Sequence, residues 1–121
     1  MRILLVEDTP DARELLRMLL EMDHHTVYEA TNGLEAVEAV AEHRPELILM
    51  DLRMPVMDGY EATRQIRRLR SGAQVPIVAI SADLSSSSYH RALEAGCDRC
   101  ESKPYEMSQL RDIVESTTRA A

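Results

Sequence analysis

Leu47-Ile48-Leu49-Met50 is an apolar run too short for a helix and unbroken by any polar position. It stops on Asp51, just before the loop Leu52-Arg53-Met54-Pro55-Val56-Met57-Asp58-Gly59. Such a run reads as a strand buried on both faces, as in a parallel sheet covered by helices. A carboxylate at its end needs compensation, because desolvating a charge without a partner is costly. Three other segments end alike. Ile3-Leu4-Leu5-Val6 runs into Glu7-Asp8, Ile77-Val78-Ala79-Ile80 into Ser81, and Cys100-Glu101-Ser102 into Lys103. If these strands are parallel, three acids, a hydroxyl and an ammonium meet on one edge of one sheet.

Between the runs the apolar pattern changes to a helical period, which marks βαβ units. Thr9 is expected to cap a first helix, with Pro10 in its first turn and Ala12, Leu15, Leu16, Leu19 and Leu20 inward. Thr26–Ala30 reads as a second, more amphipathic strand. Asn32-Gly33-Leu34-Glu35 resembles a capping box opening a helix with Leu34, Val37, Val40 and Ala41 inward. Asp58 caps a third helix with Ala62, Ile66 and Leu69 toward the sheet. The run Ser85 to Ser88 caps a fourth through Tyr89, Ala92 and Leu93, closed by Gly96. A fifth strand at Arg99–Ser102 and a last helix with Met107, Leu110, Ile113 and Val114 complete five strands and five helices.

The 121 residues are expected to form one domain, 1–121. No apolar run approaches the ~20 residues of a membrane span, and the N-terminus lacks a signal-peptide pattern, so no membrane insertion and a cytoplasmic location are expected. The net charge of −7 argues against nucleic acid as a partner, and the basic run Arg64 to Arg70 reads as a solvated helix face. Cys97 and Cys100 form a C-x-x-C, but the pair follows a helix stop instead of opening a helix, and two thiols cannot complete a zinc site. They are expected to be reduced, structural thiols.

The residue types at the shared edge indicate its chemistry. In open parallel α/β sheets ligands bind outside the carboxyl ends of the strands. Carboxylates about 4 Å apart repel by roughly 4 kcal/mol per pair at an effective dielectric near 20, so three of them hold either protons or a cation. Oxygen ligands without His or Cys select a hard ion such as Mg²⁺. Lys103 is the single lysine in a chain with thirteen arginines. A compact ammonium suits a crowded site better than a wide guanidinium. A divalent ion, an ammonium and a hydroxyl around one carboxylate describe a cradle for a phosphoryl group.

Val6-Glu7-Asp8, Asp51-x-x-Met54-Pro55-x-Met57-Asp58-Gly59, Ser81-Ala82 and Lys103-Pro104 together resemble a receiver domain, the phosphoacceptor module of two-component response regulators. The resemblance spans the chain from Arg2 to the last helix. It implies a doubly wound, flavodoxin-like α/β sheet in the order 2-1-3-4-5, with helices on both faces. It implies that Asp51 takes a phosphoryl group from the phosphohistidine of a sensor histidine kinase or a histidine phosphotransfer protein. It also implies that Asp8 and Asp51 bind Mg²⁺ directly, Glu7 through water, and Arg53 through its backbone carbonyl. Ser81, the Ala82 amide and Lys103 would hold phosphoryl oxygens, and Lys103–Pro104 would be cis. The chain would then be no enzyme beyond its own phosphorylation and dephosphorylation, signalling to an unidentified downstream protein either alone or as the receiver of a hybrid kinase.

The chain departs from the family pattern at Cys100, where the family usually carries the aromatic that couples phosphorylation to output. Switching is therefore expected to rely on Ser81 and the loop from Ala82 to Ser88. Arg53 and Asp83, at positions that set phosphoryl lifetime in the family, are expected to approach each other over the site. Two rivals remain. A Mg²⁺-dependent aspartyl phosphatase would want an Asp where Arg53 stands, and a flavin module would want a phosphate loop where Glu7-Asp8 stands.

Overall fold

The computed structural model describes residues 1–82, 85–103 and 106–119. Its strands are β1 (Arg2–Val6), β2 (Thr26–Ala30), β3 (Leu47–Asp51), β4 (Ile77–Ser81) and β5 (Arg99–Ser102). They alternate with helices α1 (Pro10–Met22), α2 (Gly33–His43), α3 (Gly59–Arg68), α4 (Ser86–Ala95) and α5 (Met107–Arg119), and a short 3₁₀ turn covers Arg70–Gly72. All pairings are parallel, in the order β2-β1-β3-β4-β5. This is the expected doubly wound sheet, with β3 at its centre.

Because successive side chains point to opposite faces of a strand, the apolar runs feed two cores. Ile3, Leu5, Leu47, Leu49, Val78 and Ile80 pack beneath Leu16 and Leu20 of α1 and Leu110, Ile113 and Val114 of α5. Leu4, Val6, Ile48, Met50, Ile77 and Ala79 pack beneath Ala36 and Val40 of α2, Ala62 and Ile66 of α3, and Ala92 and Ala95 of α4. The central strand is covered on both sides, which is why the Leu47–Met50 run contains no polar position. Each buried aliphatic side chain contributes about 1.5–3 kcal/mol.

The helices bury narrower stripes than their sequences suggest. Leu15, Leu34 and Ala41 are expected inward, yet all three are exposed, Leu34 at 46%, and on α4 Tyr89 and Leu93 are exposed as well. The contact surfaces of α2 and α4 are instead built on small residues, Gly33 and Ala36 in one and Ala92 and Ala95 in the other. Small residues let a helix axis approach the sheet closely, which turns the neighbouring larger side chains outward.

Asp58 caps α3 by accepting from the Glu61 amide, and Ser85 caps α4 in a reciprocal box with Ser88. At α2 only half of the expected box forms, since Asn32 accepts from the Glu35 amide but the Glu35 carboxylate accepts from the amide and hydroxyl of Thr31 instead. Thr9 does not cap with its side chain; its carbonyl accepts from the Arg13 amide at 2.9 Å, while Pro10 supplies the first turn. The helix needs less capping there because proline has no amide hydrogen to satisfy.

The most strained backbone lies between β3 and α3. Val56 has φ +68°, and the Met57 amide donates to the Pro55 carbonyl at 2.7 Å, closing a three-residue γ-turn. A β-branched residue held there costs about 1–3 kcal/mol, and its 80% exposed side chain recovers little of that by packing. Val56→Gly is therefore expected to raise stability by about 1 kcal/mol, after glycine's own entropic penalty, seen as a higher urea midpoint.

Candidate functional site

Register explains why the polar residues converge. Val6 is level with Met50, Asp51 with Ile80, and Ser81 with Ser102, so all four strands reach the same edge. Each run gives way to a polar residue there. The chain is guided over the edge by backbone bonds from the Glu7 amide to Ala30 O (3.0 Å) and the Lys103 amide to Ser81 O (3.0 Å). On the far side α3 comes close: a Cβ built on Gly59 would lie 2.2 Å from the carbonyl oxygen of Asp51. Only glycine permits that approach, which the Gly59 amide secures by donating to Leu52 O at 3.1 Å.

Asp8, Asp51, Arg53, Ser81, Ala82 and Lys103 line one cleft of about 250 Å³, together with Thr9. Thr9, expected only as a helix cap, lies in the cleft wall, as its place directly after Glu7-Asp8 signals. Glu7 lies below, with 0% exposure, and Asp51 is 4% exposed. One carboxylate oxygen from each of Glu7, Asp8 and Asp51 falls within 4.8 Å of the others. The Lys103 ammonium donates to Glu7 Oε1 at 2.7 Å and stands 3.6 Å from Asp51 Oδ2. Expected beside Asp51, it is bound more closely to Glu7. The Arg53 amide donates to Asp51 Oδ1 at 3.2 Å, folding the loop back over the phosphoacceptor candidate.

One ammonium does not balance three acids. Burial first, then the shared contact with Glu7 and its charge, push the Asp51 carboxyl from its ordinary value near 3.8 to about 6; Lys103 and the Arg53 amide pull the other way. Asp8 is raised as well, by burial and then by its contact with Asp51. Among the described residues, Glu7 Oε2 is buried with no hydrogen-bond donor. A hard divalent cation fits this arrangement, since it takes carboxylate oxygens and supplies the missing positive charge.

The other sequence features settle around this centre. Cys97 and Cys100 are buried free thiols; Cys97 Sγ lies 3.6 Å from Thr63 Oγ1, and Cys100 Sγ 3.9 Å from the Tyr89 carbonyl. Burial pushes the Cys97 thiol up to about 11 and raises Cys100 too, the reverse of a reactive pair. Asp83, the Lys103–Pro104 bond and positions 83–84 of the switching loop fall outside the described residues, so the expected Arg53–Asp83 approach and cis bond lie there. Among the described residues no helix is long and apolar enough to cross a membrane.

Comparison with known proteins agrees with this geometry. The response regulator receiver domain model matches residues 3–115. The chemotaxis protein CheY of Halobacterium salinarum is 35% identical over 98% of this chain and 98% of its own length. The response regulator MprA of Mycobacterium leprae is 39% identical over 98% of this chain, which spans 51% of that longer protein. The receiver domain of the sensor histidine kinase PA1611 from Pseudomonas aeruginosa, solved with magnesium coordinated in its active-site cleft, superposes with a TM-score of 0.89 at 35% identity, covering 96% of this chain and 95% of that one. A sheet edge gathering Glu7, Asp8, Asp51, Ser81 and Lys103, joined to these similarities, places the chain in the response regulator receiver domain family, a signalling module of two-component systems.

Proposed function

We propose that Asp51 is a phosphoacceptor for a phosphohistidine carried by a sensor histidine kinase or histidine phosphotransfer protein, and that residues 1–121 act as one cytoplasmic receiver domain. The observation that carries this reading is Asp51 itself: a nearly buried carboxylate at the end of the central strand, open to a cleft on one side and 3.6 Å from an ammonium. An Asp51 oxygen attacks phosphorus, the bond from phosphorus to the imidazole nitrogen breaks, and the departing ring keeps that electron pair. The product is an acyl phosphate on Asp51. Lys103 and the Ser81 hydroxyl, with the Ala82 amide, would hold the phosphoryl oxygens as charge shifts among them.

Mg²⁺ would be held by Asp8, Asp51 and the Arg53 carbonyl, with Glu7 behind them. When bound, it offsets the negative charge of the acidic pocket and of the incoming phosphoryl group. The magnesium in the PA1611 receiver cleft supports the assignment, as does the all-oxygen donor set here. The phosphorylated state would alter contacts with a downstream protein. Phosphatase turnover is disfavoured because position 53, where a general acid would stand, is an arginine whose amide is turned onto Asp51.

With Mg²⁺ and acetyl phosphate, intact-mass measurement should show the gain of one phosphoryl group, mapping to Asp51. Asp51→Asn should show none. Steady release of phosphate with turnover, or unchanged labelling in the variant, would overturn the assignment.

A further inference from the structure

We infer that Gly33, at the start of α2, is a positioning residue for the loop that presents Arg53 to the cation: its bare Cα and free amide seat the γ-turn centred on Val56. The inference rests on the proposed cation chemistry of Asp51 and adds a residue on a different element to it.

The loop from Leu52 to Gly59 is tied at its base by the Gly59 amide donating to Leu52 O at 3.1 Å. Near its tip the Gly33 amide donates to Met57 O at 2.9 Å. A first-turn helix amide has no partner within its own helix, so this donor is available for the purpose. The glycine is not required by its own backbone conformation, since among the glycines only Gly96 has φ in the left-handed region. It is required by proximity. A Cβ at position 33 would lie 2.4 Å from Met57 O and 2.9 Å from Met57 Cβ and Cγ.

The loop has little room to yield. Met54 and Met57 pack against the core cluster, and the adjoining Val56 already sits at φ +68°. At the other end of the same loop, the Arg53 amide touches Asp51 Oδ1. Displacing Met57 therefore shifts a short, strained segment that also carries the Arg53 amide onto the phosphoacceptor carboxylate. Residues that orient metal ligands without touching the ion typically change affinity by ~10–100-fold when altered. The lower end applies to a carbonyl that is one of several ligands.

Calorimetric titration of the full chain with Mg²⁺ alone tests this, paired with thermal melts without the ion. Gly33→Ala should weaken Mg²⁺ binding by roughly tenfold. Val56→Pro, at an exposed position, cannot hold φ +68° and should weaken it similarly while leaving α2 intact. It also covers the case in which Gly33→Ala fails to fold. A purely structural glycine would lower the metal-free melting temperature and leave the affinity within twofold, and that result overturns the inference. Absence of Mg²⁺ binding by the unsubstituted chain would overturn the proposed cation chemistry, and with it this role for Gly33. Intact wild-type binding with unchanged variants overturns the role of Gly33 alone.

Discussion

Asp51→Asn is expected to make the cation-free protein more stable than wild type by about 2 kcal/mol at pH 7.5, even as it abolishes phosphorylation. The folded protein holds the Asp51 proton more tightly than the unfolded chain does, since burial and Glu7 raise the carboxyl from near 3.8 to about 6. A group raised in this way contributes its stabilisation fully below pH ~4 and loses it as pH rises through ~6. Above that the folded state must keep an ionised carboxylate beside Glu7 and Asp8. Asparagine keeps the shape and removes the charge. The gap between variant and wild type should therefore be small at pH 4, open between pH 4 and 6, and stay level above. At pH 7.5 it corresponds to a melting-temperature rise on the order of 5–10 °C. Millimolar Mg²⁺ should raise the wild-type melting temperature and narrow the gap, because binding to the folded state alone stabilises it. The difference between the two proteins is the quantity to measure. Asp23, Glu35, Glu46 and Glu61 have lowered carboxyls that also titrate, but equally in both. A variant no more stable than wild type at pH 7.5 would mean that the acidic cluster carries no strain.

The site was more legible than the packing around it. Asp51, Glu7-Asp8 and Ser81 could be placed from sequence because each ends an apolar run, and Lys103 because it ends the short segment after Gly96; parallel strands bring such ends to one edge. The strand order came from family resemblance, since five short strands alone permit several orders. The helix faces were misjudged where a wide apolar stripe left the rotation open: Leu34 and Ala41 compete with Gly33 and Ala36 for the same contact, and close approach favours the small pair. The partner of Lys103 was not legible either. Glu7 and Asp51 both lie within reach of its flexible stem, and only the side-chain conformations put the ammonium at 2.7 Å from one and 3.6 Å from the other. Least legible were contacts to backbone carbonyls, which leave no mark on side-chain patterning. Arg67 shows this most clearly, because the basic run containing it reads as a solvated face, and Arg64, Arg68 and Arg70 are indeed exposed.

Arg67→Ala is expected to cost about 3–4 kcal/mol, the largest loss from any single charged side chain outside the acidic cluster. Its side chain is only 19% exposed and ties α3 to two other pieces of chain, Gly72–Val75 and Gly96–Asp98. Nε donates to Gly96 O at 2.9 Å, Nη1 to Gly72 O at 3.0 Å and Val75 O at 2.6 Å, and Nη2 to Asp98 Oδ2 at 2.9 Å. Asp98 Oδ2 in turn accepts from the Ile77 amide at 2.9 Å, so the network reaches the first residue of β4. Truncation leaves three carbonyls without that donor and opens space where α3, the 3₁₀ turn and the end of α4 meet. The worth of the contact lies in geometry more than charge, because one planar fork serves acceptors on several sides. Arg67→Lys keeps the charge but offers a point donor, and it should recover less than half of the loss. Urea denaturation of the three proteins separates the possibilities. Near-complete rescue by lysine would mean that the Asp98 ion pair carries the stabilisation, whereas a poor rescue assigns it to the carbonyls. Since the network lies at the opposite end of β4 from Ser81, Mg²⁺ affinity and Asp51 phosphorylation should be retained at temperatures where the variant is folded.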